Sequence, residues 1–416
     1  MPVLGAMKGL LGKIPGSRAI GPGLVSGVSG NDAGSIATGS IIGAALGYQL
    51  LWMVFFAIPI LISIQEMTAR AAVIVKKGLG AVIRERYGAK VALGIIAALL
   101  FTNIVNIAAN IGGMVTALEL ATGINDRIFV VPVTLLLMFL VLKGSYRRVE
   151  KALLFASLGL LSYIIIGFIS VDSWGEVIRL TLTPTFAFDP RFVVMAVALL
   201  GATVTPYIYY YNAGAEIERS RAFGNRTLNE ARIDASFGAV SAQFVAYFII
   251  VVAATVLFSQ GITTIETAKD AALALKPLAG DFAFLLFAIG LFSASMIAAS
   301  VLPLATAYAV SETFGWESGI ENPLARNFRK VFVITLGIGA LIMLAGADPI
   351  GMMFIAMLVA GIVSPVVIAL LLKVCNDRRY MGEHANSHLS NVLGYIAVGV
   401  MGGFVLLMAG TVLLGL

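Results

Sequence analysis

Apolar residues run through this chain in long blocks, and the polar residues gather between them. A helix of roughly 17 to 25 apolar residues is long enough to cross a bilayer. Eleven such runs can be read, over 20–46, 48–67, 91–121, 128–142, 152–171 and 193–215, then 239–258, 282–309, 331–345, 350–372 and 392–413. The pattern predicts an all-α polytopic membrane protein, a single transmembrane domain over 1–416. Composition agrees: 59% of residues are hydrophobic and 12% charged, with a mean hydropathy of +0.97, whereas about a quarter of residues are charged in a soluble domain.

Two of the runs are interrupted at matching places. The first reads Gly21-Pro-Gly-Leu-Val-Ser-Gly-Val-Ser-Gly-Asn-Asp-Ala-Gly-Ser35, with five glycines around the carboxylate Asp32. Glycine is a poor helix former and exposes backbone, so this helix is expected to open beside the acid and free carbonyl oxygens. In the sixth run, Leu200-Gly-Ala-Thr-Val-Thr-Pro206, the proline removes a backbone donor and disfavours helical geometry at Thr205, which frees the carbonyl of Ala202. Each break falls in the first helix of a five-helix set, 20–171 and 193–372, with the helix at 392–413 left over. That is the layout of a LeuT-like inverted repeat with a substrate site near the membrane midplane. A lone acid inside a bilayer is expensive, and no basic residue lies in either broken segment. Asp32 among bare carbonyls therefore describes a cation site.

Charge fixes the orientation. All but five of the 28 basic residues fall on one side; the exceptions are Arg127, Arg179, Arg191, Lys269 and Lys276. The positive-inside bias then places the N-terminus, with Lys8, Lys13 and Arg18, in the cytoplasm and the C-terminus outside, in what is expected to be the cell membrane. These loops account for the net charge of +6, which gives no reason to invoke nucleic acid. The single cysteine, Cys375, and the two histidines, His384 and His388, leave no material for a disulfide framework or a Cys/His metal cluster. The N-terminus carries no signal-peptide pattern, so the first run is expected to be a true span. No phosphate-binding loop and no nucleophile–histidine pair is present, so the chain reads as neither nucleotide-driven nor an enzyme, with no cofactor.

Five strings in order, Gly21-Pro-Gly, Asn31-Asp-Ala-Gly-Ser35, Gln65-Glu-Met-Thr-Ala-Arg70, Gly201-Ala-Thr-Val-Thr-Pro206 and Glu230-Ala-Arg-Ile-Asp234, resemble the Nramp divalent-metal transporters. The resemblance covers most of the chain. It implies a metal site made of an aspartate, an asparagine, a methionine and an alanine carbonyl, which map here onto Asp32, Ser35, Thr205 and Ala202. Two ligands thus change type. Losing the thioether at Thr205 removes the soft donor that favours transition metals over Mg²⁺, and the remaining oxygens suit Mg²⁺, which keeps several of its waters. Mn²⁺ should also pass. The pattern is similar to the Nramp-related magnesium transporters.

Ser35 is expected to cap the second half of the first span and line the site at once. Thr205 has two readings, an ion ligand or a hydroxyl bonded to a backbone carbonyl. In proton-coupled members of the family a histidine follows the methionine by two residues and acids stand on the third helix. Here Tyr207 and Asn106-Ile-Ala-Ala-Asn110 occupy those places; neither side-chain type titrates near neutrality, so transport without proton coupling is expected. Asn103, Asn106 and Asn110 share one helical face, either as a polar pathway wall or as interhelical hydrogen bonds. Asn31 and Tyr207 complete the predicted pathway, and Glu66 with Arg70 reads as an intrahelical ion pair. The alternatives are a proton-coupled Mn²⁺/Fe²⁺ transporter, an amino-acid transporter of the same architecture, and a membrane receptor or scaffold.

Overall fold

The computed structural model describes residues 21–224, 227–265, 268–347 and 349–414, with side chains described outside 268–284, 349–350 and 411–414. The expected cytoplasmic Lys8, Lys13, Arg18 and Arg226, and Ile20 at the start of the first run, lie outside the described residues. Among those described, regular structure is helical throughout. Nine segments are long and apolar enough to span a bilayer, and two shorter apolar helices, Ala33–Leu46 and Arg127–Leu142, match the remaining runs.

The first span is two helices, α1 (Pro22–Ser29) and α2 (Ala33–Leu46). There follow α3 (Leu51–Val75), the short α4 (Leu79–Tyr87), α5 (Ala89–Thr122), α6 (Arg127–Leu142), and a fifth span of α7 (Tyr146–Ser157) and α8 (Leu161–Ser170) joined by a 3₁₀ turn. After the short α9 (Trp174–Leu182), the sixth span is again divided, into α10 (Pro190–Thr203) and α11 (Pro206–Phe223). The chain continues through α12 (Leu228–Val256), α13 (Ala268–Phe314), α14 (Arg326–Leu344), α15 (Pro349–Cys375), α16 (Arg378–Met381) and α17 (His388–Leu414).

Both predicted breaks are present. The structure differs from the apolar runs mainly at helix ends. α3 extends two turns beyond the predicted Met67, because its polar end is held by charge: Glu66 Oε1 meets Arg70 Nε at 2.9 Å and Arg232 Nε of α12 at 2.7 Å. The expected ion pair is therefore a cluster of three, and Arg70 also donates to Asn386 Oδ1 at 2.7 Å and to the His384 carbonyl. α13 starts well before Phe282, its added stretch being rich in the strong helix formers alanine, leucine and lysine. The short amphipathic α4 and α9 were not foreseen from hydropathy.

The glycines of the first span do something other than break it. Gly23 and Gly27 are helical and let α1 lie directly on the backbone of α12. A methyl group on Gly27 would sit 2.3 Å from the Gly238 carbonyl oxygen, and one on Gly23 would sit 2.5 Å from the Ala235 nitrogen. At the break itself Gly30 has φ −66° and ψ −20°, an ordinary right-handed conformation. α1 is aimed by Asp234 of α12, whose carboxylate accepts from the backbone N–H of Gly21 (2.8 Å), Gly23 (2.8 Å) and Leu24 (3.0 Å). An anion at a helix N-terminus satisfies unpaired donors and favours the helix dipole. α11 packs on α3 as α1 packs on α12, the pairing that a repeat with inverted halves requires. Large apolar side chains such as Phe139, Phe155 and Leu406 face outward, toward what would be lipid.

Candidate cation site

Asp32 lies in the gap between α1 and α2, fully buried. Its backbone is extended and its Oδ1 accepts from the Ser35 N–H at 2.7 Å, so Asp32 itself is the N-cap of α2. This corrects the expected capping role of Ser35. Aspartate is among the strongest N-caps and its charge complements the helix dipole, which leaves Ser35 inside the first turn with its hydroxyl available for other partners. Asp32 Oδ2 accepts from Asn106 Nδ2 at 2.6 Å.

Asn106 is held in turn. Asn110 Nδ2 donates to its carbonyl oxygen (2.8 Å) and side-chain Oδ1 (3.1 Å), while Asn110 Oδ1 accepts from the Ala33 N–H at 2.9 Å. The two asparagines thus reach Asp32 and the start of α2 directly. Asn103, on the same face, makes an interhelical bond instead, to Thr306 Oγ1 at 2.8 Å.

The second break supplies carbonyls. Residue 206 is proline, so the Ala202 carbonyl has no N–H four residues on; it accepts from Ser35 Oγ at 3.0 Å across the gap. Ser35 Oγ also reaches the Gly30 carbonyl at 2.6 Å. The Val204 carbonyl takes Ser364 Oγ (2.5 Å) and the Ser29 carbonyl takes Tyr207 Oη (2.5 Å), the latter tying α11 to α1. Four carbonyls at the breaks, those of Ser29, Gly30, Ala202 and Val204, therefore lie within reach of a hydroxyl. Thr205 is buried at the start of α11, and its hydroxyl neither caps that helix nor hydrogen-bonds to another described residue; of its two expected roles, the carbonyl-bonded one is not seen. Asn31 is set apart, its amide committed to the Ala242 carbonyl of α12 at 2.8 Å.

One neighbour was not foreseen. Met357, from α15, is buried against Ala202, Ala356 and the partly buried Val105, and its Sδ lies 3.9 Å from Ser35 Oγ. A methionine in an apolar run carries no signal of its own in the sequence. Gly201 and Gly361 let α10 and α15 touch: a methyl on Gly201 would sit 1.9 Å from the Met357 carbonyl oxygen.

Chemically, the gap offers one carboxylate whose hydrogen-bond partners are all uncharged, surrounded by carbonyls, hydroxyls and amides. No cluster of three or more His, Cys, Asp or Glu side chains occurs among the described residues, so a cation here would complete its shell with neutral oxygens and water. Hard divalent ions accept such a shell.

A helical membrane protein with two divided spans facing each other across such a gap is a transporter of the broken-helix class. Residues 23–411 match the natural resistance-associated macrophage protein-like (Nramp) family, and the chain belongs to it. It is 26% identical to the divalent metal cation transporter MntH of Vibrio campbellii over 92% of this chain and 89% of that one, and 25% identical to MntH of Verminephrobacter eiseniae over 91% and 85%. The fold matches the manganese transporter of Eremococcus coleocola with a TM-score of 0.73, at 16% identity over 94% of this chain and 85% of that one. The nucleobase-cation-symport transporter Mhp1 follows at 0.58. The protein is accordingly an integral membrane transporter of divalent metal cations and not an enzyme; the metal is cargo, not a resident cofactor.

Proposed function

We propose that the chain carries a divalent cation across the cell membrane by alternating access, with Asp32, the Ser35 and Thr205 hydroxyls and the Ala202 carbonyl as ligands. The oxygen donors of the two breaks fit Mg²⁺ best and Mn²⁺ also. The observation that carries this reading is the burial of Asp32 between the breaks with only uncharged partners. A buried unpaired carboxylate costs several kcal/mol, and a cation bound beside it removes that cost. Asn106, Asn110 and Tyr207 line the route, and the packing of Asn31 on α12 makes it a positioning residue for the gap. Residues 20–171 and 193–372 form the two repeats, with the N-terminus cytoplasmic and the C-terminus outside.

The test is isothermal titration of Mg²⁺ and Mn²⁺ into the purified protein and into Asp32→Ala. Loss of binding in the variant is expected; unchanged binding would remove Asp32 from the site.

Movement without proton coupling belongs to the same proposal. Tyr207 is engaged by the Ser29 carbonyl, and Asn106 and Asn110 surround Asp32 with groups that do not titrate.

A further inference from the structure

The replacement of a methionine by Thr205 in the sixth span leaves the two breaks without sulfur, yet a thioether stands at the gap from another helix. We infer that Met357 Sδ is a ligand to the transported ion, so that α15 returns the soft donor that the sixth span lacks. This rests on the Asp32 site proposed above.

Three features of the geometry place it there. The point beside Gly34 where a methyl group would sit lies 2.6 Å from Met357 Cε and 3.2 Å from each of Asp32 Oδ1 and Asn106 Oδ1. The end of the Met357 side chain and the carboxylate therefore border the same point, which the Met357 methyl reaches because residue 34 has no side chain. Ser35 Oγ has one proton but three acceptors within its reach, Gly30 O at 2.6 Å, Ala202 O at 3.0 Å and Met357 Sδ at 3.9 Å. A hydroxyl donates once, so its single proton serves only one of these three acceptors at a time. The backbone of Met357 is pinned, because Gly201 abuts its carbonyl and Gly361 lies against Val197, where a methyl would come within 2.5 Å of the carbonyl oxygen. The side chain, unbranched with three rotatable bonds, can still turn its sulfur toward an ion.

The consequence is a shift in preference. Oxygen donors alone rank Mg²⁺ with Mn²⁺, whereas an added thioether raises the softer ions over Mg²⁺ and raises Cd²⁺ most. Met357 would then set selectivity while Asp32 sets the need for a cation.

Titrations of Cd²⁺, Mn²⁺ and Mg²⁺ into the full-length protein, Met357→Leu and Met357→Gln test this. Met357→Leu is expected to weaken Cd²⁺ by about tenfold or more, the size of effect that ligand-sphere changes produce, and to leave Mg²⁺ within about threefold. Met357→Gln, which offers oxygen, is expected to keep Mg²⁺ and not to restore Cd²⁺. Cadmium X-ray absorption on the unmodified protein supplies a readout that does not depend on a variant folding: sulfur scattering is expected. Cd²⁺ affinity unchanged in Met357→Leu, or an all-oxygen cadmium spectrum, would overturn the assignment and mark Met357 as packing. If Asp32→Ala abolishes binding while Met357→Leu changes nothing, the sulfur alone is wrong; if Asp32→Ala changes nothing, the site itself is wrong.

Discussion

Ser35 joins the two broken helices through one hydroxyl. Its backbone N–H caps onto Asp32, so Ser35→Ala keeps the cap and removes the contacts to Gly30 and Ala202. Leaving buried carbonyls unmet costs about 1–3 kcal/mol, and a proposed ligand is lost as well. Ser35→Ala should lower the thermal midpoint modestly and weaken Mn²⁺ by about tenfold, less than Asp32→Ala; calorimetry and a melting curve read both. At this scale the sequence was partly legible. Asp32 stood out because charge inside a membrane demands a reason, and Pro206 because it removes a donor. Met357 did not, since one apolar residue in an apolar run differs from its neighbours only by what lies opposite it. Asp234 was visible as part of a motif, but that its carboxylate holds the start of α1 follows only from the folded arrangement.

The broken elements make two further predictions. Gly27→Ala would press a methyl against the Gly238 carbonyl and drive α1 off α12, a core overpacking expected to cost about 1–3 kcal/mol. Gly94→Ala, in α5 where nothing lies within 4 Å, should be neutral or slightly stabilising, since alanine is the better helix former. Parallel melting curves compare the two, and equal midpoints would contradict the close-packing role. Pro206→Ala returns an N–H that can bond the Ala202 carbonyl. It should heal the sixth span, stabilise the fold and weaken Mn²⁺ binding together, a combination that a simple packing defect does not produce. The glycines of the first span do more than the break expected of them. Poor helix propensity pointed to a break beside the acid, and the gap lies there, while tertiary contact with α12 keeps Gly23 and Gly27 helical.

For the molecule as a whole, the question is what drives the ion. Among the described residues, the nine long apolar helices, the two shorter ones and both breaks answer to runs and interruptions readable from hydropathy, glycine and proline, because a bilayer leaves few ways to satisfy backbone groups. On the uncoupled reading proposed above, the groups around Asp32 decide the coupling: its partner Asn106, held in turn by Asn110, is an amide that does not titrate near neutrality. An inside-negative potential acts on a divalent ion with about 4.6 kcal/mol per 100 mV, enough by itself to concentrate it more than about a thousandfold. Proteoliposomes loaded with a pH-sensitive dye should therefore take up Mn²⁺ or Mg²⁺ without acidifying, and the rate should rise when a potassium gradient with an ionophore makes the interior negative. Acidification that tracks metal entry would show that protons travel with the ion, and Asp32, the one carboxylate in the gap, would then be the group to test as their carrier.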